Sequence, residues 1–136
     1  MTTMAINKKP TILYVEDELV FTQLFKKALE PYKFEILSAA DGTSGAQLYE
    51  AQTPDLVFLD INLRGISGFV VLRRIRKFAL DNRLNVKIIM LTSNNTIAEI
   101  KKAIEYGADD YIVKPFNDAV LIGKIKKYFS DFDIKK

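Results

Sequence analysis

Along the chain, short apolar runs alternate with longer segments in which apolar residues recur every third or fourth position. Residues 11–15 are a compact β-type run that ends abruptly in Glu16, Asp17 and Glu18. Phe21, Leu24, Phe25, Ala28 and Leu29 then recur at helical spacing, and Pro31 is expected to stop that helix. Residues 34–40 read as a second strand, Asp41-Gly42 as a turn, and residues 43–52 as a weaker helix before Pro54. Residues 56–60 form a third strand, apolar until its last residue. After a glycine-containing loop, Gly68, Leu72, Ile75 and Ala79 mark one face of a third helix. Residues 86–91 are a fourth strand, and residues 96–106 a helix ended by Gly107, which suits a left-handed C-terminal cap. Residues 111–113 are a short fifth strand, and Asn117 can cap a last helix carrying Leu121, Ile125, Tyr128 and Phe129 inward.

Five strands alternating with five helices predict an α/β fold with a parallel sheet covered on both faces. The strands are nearly continuous apolar runs, as burial on both faces requires. No internal repeat, low-complexity tract or linker interrupts the pattern. One domain is expected over 1–136, with its core at about 11–129, a short polar leader and a charged end that frays.

Composition narrows the chemistry. A chain of 136 residues, 49% hydrophobic and 27% charged, has the size and balance of one globular domain. No run is long enough to span a bilayer. The polar start, with Lys8 and Lys9, lacks the apolar stretch of a secretory signal, so the cytoplasm is the expected location. There is no cysteine and no histidine, which excludes disulfides, thiolate chemistry and imidazole metal sites. Nucleophilic or acid–base work falls to carboxylates, hydroxyls and lysines. The net charge of +3 is a small surplus. The clustered bases Arg73, Arg74, Arg76, Lys77, Lys124, Lys126 and Lys127 read as solvated helix faces rather than a nucleic-acid surface.

In open α/β sheets, ligands bind outside the carboxyl ends of the strands. The first strand ends in Glu16-Asp17, the third in Asp60, the fourth in Thr92-Ser93 and the fifth in Lys114-Pro115. Right-handed crossovers bring these ends to one edge. Singly, each has a plain structural reading: a helix cap, a strand end, turn formers, a surface lysine. Jointly they supply carboxylates, a hydroxyl and an ammonium group. Three acids roughly 5 Å apart repel by on the order of 3 kcal/mol per pair at an effective dielectric of about 20. A hard divalent cation relieves this, and oxygen-only donors favour Mg²⁺. Mg²⁺ would also neutralise an incoming phosphoryl group, with Asp60 as the nucleophile that forms an acyl phosphate and Lys114 and Thr92 as donors to its oxygens.

Four segments, Val15-Glu16-Asp17-Glu18, Leu59-Asp60-Ile61-Asn62, Leu91-Thr92-Ser93 and Tyr111-Ile112-Val113-Lys114-Pro115-Phe116, resemble in order the motifs of response-regulator receiver domains. The resemblance runs from about residue 11 to residue 129. It implies a flavodoxin-like (βα)5 three-layer sandwich with sheet order 2-1-3-4-5, working as a phosphorylatable switch rather than a dedicated enzyme. By the same resemblance Asp60 is the phosphoacceptor, and Asp17 and Asp60 ligate Mg²⁺ directly. The backbone carbonyl of Asn62 is a third ligand and Glu16 acts through water. Thr92 and Tyr111 match the switch pair, Gly68 matches the loop glycine, and the Lys114–Pro115 bond is expected to be cis. The implied partners are a histidine kinase or phosphotransfer protein as donor and a downstream protein or output domain, with a phosphorylation-dependent dimer also compatible. Arg64 departs from the pattern, which often has proline there, and this bears on the rigidity and partner contacts of that loop. Asn62 and Asn94 occupy positions that influence the phosphoryl lifetime.

Rival functions fit less well. A hydrolase of the haloacid-dehalogenase type needs a second aspartate two residues after its nucleophile, where this chain has Asn62. No G-x-x-x-x-G-K-[ST] occurs, which argues against a P-loop nucleotidase. A receiver-like module that no longer takes phosphate usually lacks an acid, the phosphoacceptor or the lysine, all of which are kept here. A receiver segment of a larger hybrid kinase or regulator is the remaining alternative.

Overall fold

Strand alternation decides the layers. In a computed structural model that describes residues 9–93 and 96–129, the strands are β1 (Thr11–Val15), β2 (Glu35–Ala39), β3 (Leu56–Asp60), β4 (Lys87–Thr92) and β5 (Asp110–Val113). They alternate with α1 (Leu19–Leu29), α2 (Gly42–Gln52), α3 (Gly68–Asp81), α4 (Ile97–Glu105) and α5 (Asp118–Tyr128). All strand pairs are parallel, in the order β2-β1-β3-β4-β5. This is the flavodoxin-like arrangement. Leu13, Val15, Val57, Leu59, Ile88 and Met90 pack beneath α2, α3 and α4. Their neighbours Ile12, Tyr14, Leu56, Phe58, Ile89 and Leu91 pack beneath α1 and α5. Side chains pointing to opposite faces at successive positions thus build two cores from one sheet. Burying each large apolar side chain contributes about 1.5–3 kcal/mol. The polar leader before residue 9, Asn94 and the charged end from residue 130 lie outside the described residues. Among the described residues, no helix is long and apolar enough to cross a membrane.

Several local expectations are corrected. Asp41 is not part of a free turn: its carboxylate accepts from the Ser44 N–H at 2.8 Å and caps α2, which begins at Gly42. Thr96 caps α4 in the same way, and Asn117 caps α5 as expected. As expected, α1 ends just before Pro31, which lies in a short 3₁₀ turn (Glu30–Tyr32). The second strand is an edge strand with Glu35 and Ser38 exposed, so the two-sided burial expected of every strand fails there. Leu24, one of the apolar residues recurring at helical spacing, is 52% exposed. The stripe that α1 buries is centred on Phe25, Ala28 and Leu29, and Leu24 falls outside it, one turn from the equally exposed Val20.

Arg76 is not a solvated base either. It donates to the Gly107 carbonyl at 2.7 and 3.0 Å, to the Val86 carbonyl at 3.2 Å and to the Asp109 carboxylate at 2.9 Å. It thereby ties α3 to the turn before β5, where Gly107 takes the expected left-handed conformation (φ +106°).

Asp110 anchors the other side of β5. Its carboxylate accepts from Lys124 (2.8 Å), Lys127 (3.1 Å), the Tyr128 hydroxyl (3.0 Å) and the Tyr111 N–H (2.8 Å). Burial alone would raise its pKa, but these donors outweigh it and hold the carboxyl down at about 2. A depressed folded-state pKa gives stability that is present above the unfolded value and lost as pH falls through the folded one. Acid unfolding should therefore show a loss on the order of 2 kcal/mol between about pH 4 and pH 2 in the wild type that is missing from Asp110→Asn. Superimposable acid profiles would count against this assignment.

Candidate functional site

Strand register assembles the site. Val15 pairs with Leu59, Asp60 with Leu91, and Thr92 with Val113. The residues that end these strands, or follow them directly, are Glu16, Asp60, Thr92 and Lys114, and they emerge together at the carboxyl edge. All four are buried, at 2%, 2%, 1% and 9% exposure, which is unusual for charged side chains unless they are paired.

The pairing is explicit. The Lys114 ammonium donates to Glu16 Oε1 at 2.9 Å and to Asp60 Oδ2 at 3.2 Å. It also stands 4.3 Å from the centre of the Phe21 ring, a cation–π contact. The other Asp60 oxygen accepts from the Asn62 N–H at 3.1 Å. Two buried acids share one cation, so negative charge is in excess. Burial, followed by the adjacent Asp60, pushes the Glu16 carboxyl up to about 7 against the pull of Lys114. Burial would lower the Lys114 pKa, but Glu16 and Asp60 reverse this and keep the group charged.

Asp17 is held differently. Its Oδ2 accepts from the Arg64 N–H at 2.9 Å and from Arg64 Nε at 3.3 Å, while its carbonyl accepts from the guanidinium at 3.3 Å. The three acids of the sequence reading are therefore not a bare, mutually repelling cluster: two are bridged by Lys114 and the third is bound by the β3–α3 loop. Carboxylate oxygens of Glu16, Asp17 and Glu18 do lie within 4.8 Å of one another. An all-oxygen set with surplus negative charge, sensed by the raised Glu16 carboxyl, suits a hard divalent cation such as Mg²⁺.

The remaining expected residues surround this centre. Tyr111 is half-buried in β5, opposite Met90 and near Lys124, whose ammonium is 5.9 Å from its ring centre. The Lys114–Pro115 peptide is cis. Gly68 opens α3, donating its N–H to the Ile61 carbonyl at 2.9 Å. A Cβ there would sit 2.1 Å from the Asp60 carbonyl oxygen and 2.7 Å from Ile61 Cα, so no side chain fits. Sequence reasoning missed the contacts of Glu18, Phe21 and Arg64. Phe21 reads as an ordinary core position, and no local signal links Arg64 to an acid 47 residues away.

Comparison with known proteins agrees with this geometry. A family model described as the response regulator receiver domain matches residues 12–126. The transcriptional regulatory protein CseB of Streptomyces coelicolor is 36% identical over 121 residues, which make up 89% of this chain and 50% of that protein. The chain thus spans about half the length of the curated relatives it matches. Among solved structures, the receiver domain of a Saccharomyces cerevisiae response regulator, crystallised with its histidine phosphotransfer signaling protein, superimposes with TM-score 0.84, 27% identity and 90% of each chain covered. The receiver domain of a Pseudomonas aeruginosa sensor histidine kinase, with a magnesium ion coordinated in its active-site cleft, gives TM-score 0.79 and 28% identity over 90% of this chain and 98% of that one.

Two expectations follow from the geometry. Gly68→Ala should destabilise the fold by about 2 kcal/mol or more in urea titrations, because the clash is with backbone that cannot swing aside. Wild-type stability in that variant would contradict the close approach. In chelator, Asp60→Asn should raise the melting temperature by a few degrees, the equivalent of about 1 kcal/mol, by relieving its repulsion with Glu16. Asp17→Asn should gain less, since it forfeits the Arg64 contact. Equal gains from both would mean that the acids act as one cluster after all.

Proposed function

Because this chain belongs to the response regulator receiver domain family, we propose that it is a phosphorylatable switch with Asp60 as its phosphoacceptor. The observation that carries this reading is the buried Lys114 ammonium bridging Glu16 and Asp60. That arrangement keeps a nucleophilic carboxylate beside a cation that can turn to an incoming phosphoryl oxygen. An Asp60 carboxylate oxygen forms a bond to phosphorus as the bond from phosphorus to the donor group breaks, and the departing group keeps the electron pair. Mg²⁺, held by Asp17, Asp60, the Asn62 carbonyl and, through water, Glu16, would neutralise charge on the transferring group.

The acyl phosphate adds roughly −1.5 to −2 charges at the edge of the sheet. Lys114 then exchanges its bond to Glu16 for one to the phosphoryl group, and the Thr92 hydroxyl supplies a second donor. Thr92 lies two residues beyond the β4 position that pairs with Tyr111. Movement of Thr92 toward the phosphoryl group thus opens room for the tyrosine ring, and the surface of α4, β5 and α5 changes with it. A histidine kinase or phosphotransfer protein is the donor this reading calls for. The solvent-facing Leu19, Val20 and Leu24 of α1 offer it an apolar contact, since Leu19 lines the same cleft as Glu16 and Asp17. The output partner, or an output domain in a longer chain, reads the α4–β5–α5 surface.

Intact-mass spectrometry after incubation with acetyl phosphate tests the chemistry. One phosphoryl adduct is expected, dependent on Mg²⁺ and absent from Asp60→Asn. A folded wild type that neither gains the adduct nor binds beryllofluoride with Mg²⁺ would sink the proposal in favour of a phosphorylation-independent interaction module.

A further inference from the structure

We propose that Arg64 is an exchangeable counter-ion. It holds Asp17 while no divalent cation is bound and passes to Glu99 when Mg²⁺ takes that carboxylate, so that metal occupancy is felt at the start of α4. The inference rests on the receiver reading of the site and concerns a residue at which this chain departs from the family pattern.

The first half follows from the bonds of Arg64. Its backbone N–H and its Nε both converge on one oxygen, Asp17 Oδ2, while the guanidinium end reaches the Asp17 carbonyl. The Asp17 side chain is 9% exposed and that of Arg64 is 83% exposed. The acid is thus set into the site while its cation lies almost wholly in water, where an ion pair is weak and easily broken. A dication arriving at the same carboxylate repels the guanidinium and outbids it for the oxygen. The backbone N–H can stay in place, so only the side chain has to leave.

The second half follows from an acid without a donor. Glu99 Oε1, in the first turn of α4, is buried and has no hydrogen-bond partner among the described residues. A buried acceptor left unmatched is costly. Glu99 and Arg64 line one cavity of about 320 Å³, together with Asn62, Ser67 and Phe69. Among the described residues, Arg64 is the single basic one lining it. A guanidinium released from Asp17 therefore has a charged acceptor within the same cavity. α4 is also the element with most freedom to respond: Ala103 is its one buried residue.

Mg²⁺ titration of the full chain by calorimetry, with no phosphodonor present, tests both halves. Arg64→Ala should bind Mg²⁺ about threefold more tightly, the worth of the surface pair it no longer has to break. Glu99→Gln should weaken binding by about twofold in the wild-type background and leave it unchanged in the Arg64→Ala background, as expected of two coupled side chains. In NMR spectra the Arg64 Nε–H resonance should shift with Mg²⁺ in the wild type and shift less in Glu99→Gln. Equal Mg²⁺ affinity in the wild type and Arg64→Ala overturns the exchange. A Glu99→Gln effect that persists in Arg64→Ala overturns Glu99 as the acceptor. Folded proteins that bind no Mg²⁺ at all overturn the receiver reading itself and the inference with it.

Discussion

The carboxyl edge of the sheet depends on one ammonium group shared between two buried carboxylates. Lys114 follows β5, Glu16 follows β1, and Asp60 ends β3, the strand between β1 and β4. No two of these residues are neighbours in the chain; Lys114 and Glu16 are 98 positions apart. Their meeting therefore requires the sheet to be complete and in register, and the site is a product of the whole fold rather than of any loop. The energetics point the same way. Removing one partner of a buried ion pair leaves an uncompensated charge, which typically costs about 3–5 kcal/mol. Here the balance is uneven from the start, because two acids compete for a single lysine. That surplus makes the site receptive to further positive charge.

The sheet and its order are legible in the sequence because burial on two faces leaves little freedom. Runs such as Leu56 to Leu59 can only be central strands, and alternation with amphipathic segments permits few topologies. The strand-end chemistry is legible for the same reason, since polar groups closing apolar runs must emerge at one edge. Periodicity is weaker where a helix meets the margin of its buried stripe. It identifies Leu24 as apolar and helical but does not say whether a neighbour covers it, and the residue stays 52% exposed. Long-range polar contacts leave no local trace at all. Arg76 sits in a run of bases that reads as a solvated face, yet it closes on a carbonyl 31 residues away. Arg64 looks like a loop substitution until Asp17 is placed beside it.

These two arginines illustrate how charge is used away from Asp60. Asp109, just before β5, and Asp110, its first residue, are consecutive, yet they serve opposite sides of the sheet. Asp109 joins Arg76 of α3, and Asp110 joins Lys124 and Lys127 of α5. Three of the clustered bases of α3 and α5, Arg76, Lys124 and Lys127, are thus spent on these two acids. Arg74 with Glu50 and Lys77 with Asp81 extend the pattern along the exposed faces. A nucleic-acid surface would require these groups to be free, and a good part of them is not.

The absence of a side chain at Gly68 has a mechanical consequence. Because α3 begins in contact with the backbone of Asp60 and Ile61, it cannot slide or tilt without dragging Asp60 with it. Six of its residues are buried against the sheet, and Arg76 pins its later turns. α4 covers the same face of the sheet with a single buried alanine and leaves Ile97 and Ile104 in solvent. The two helices therefore act as a fixed jaw and a loose one. On the proposed reading, charge deposited at the edge between them would be converted into motion on one side only, giving the switch a direction as well as two states.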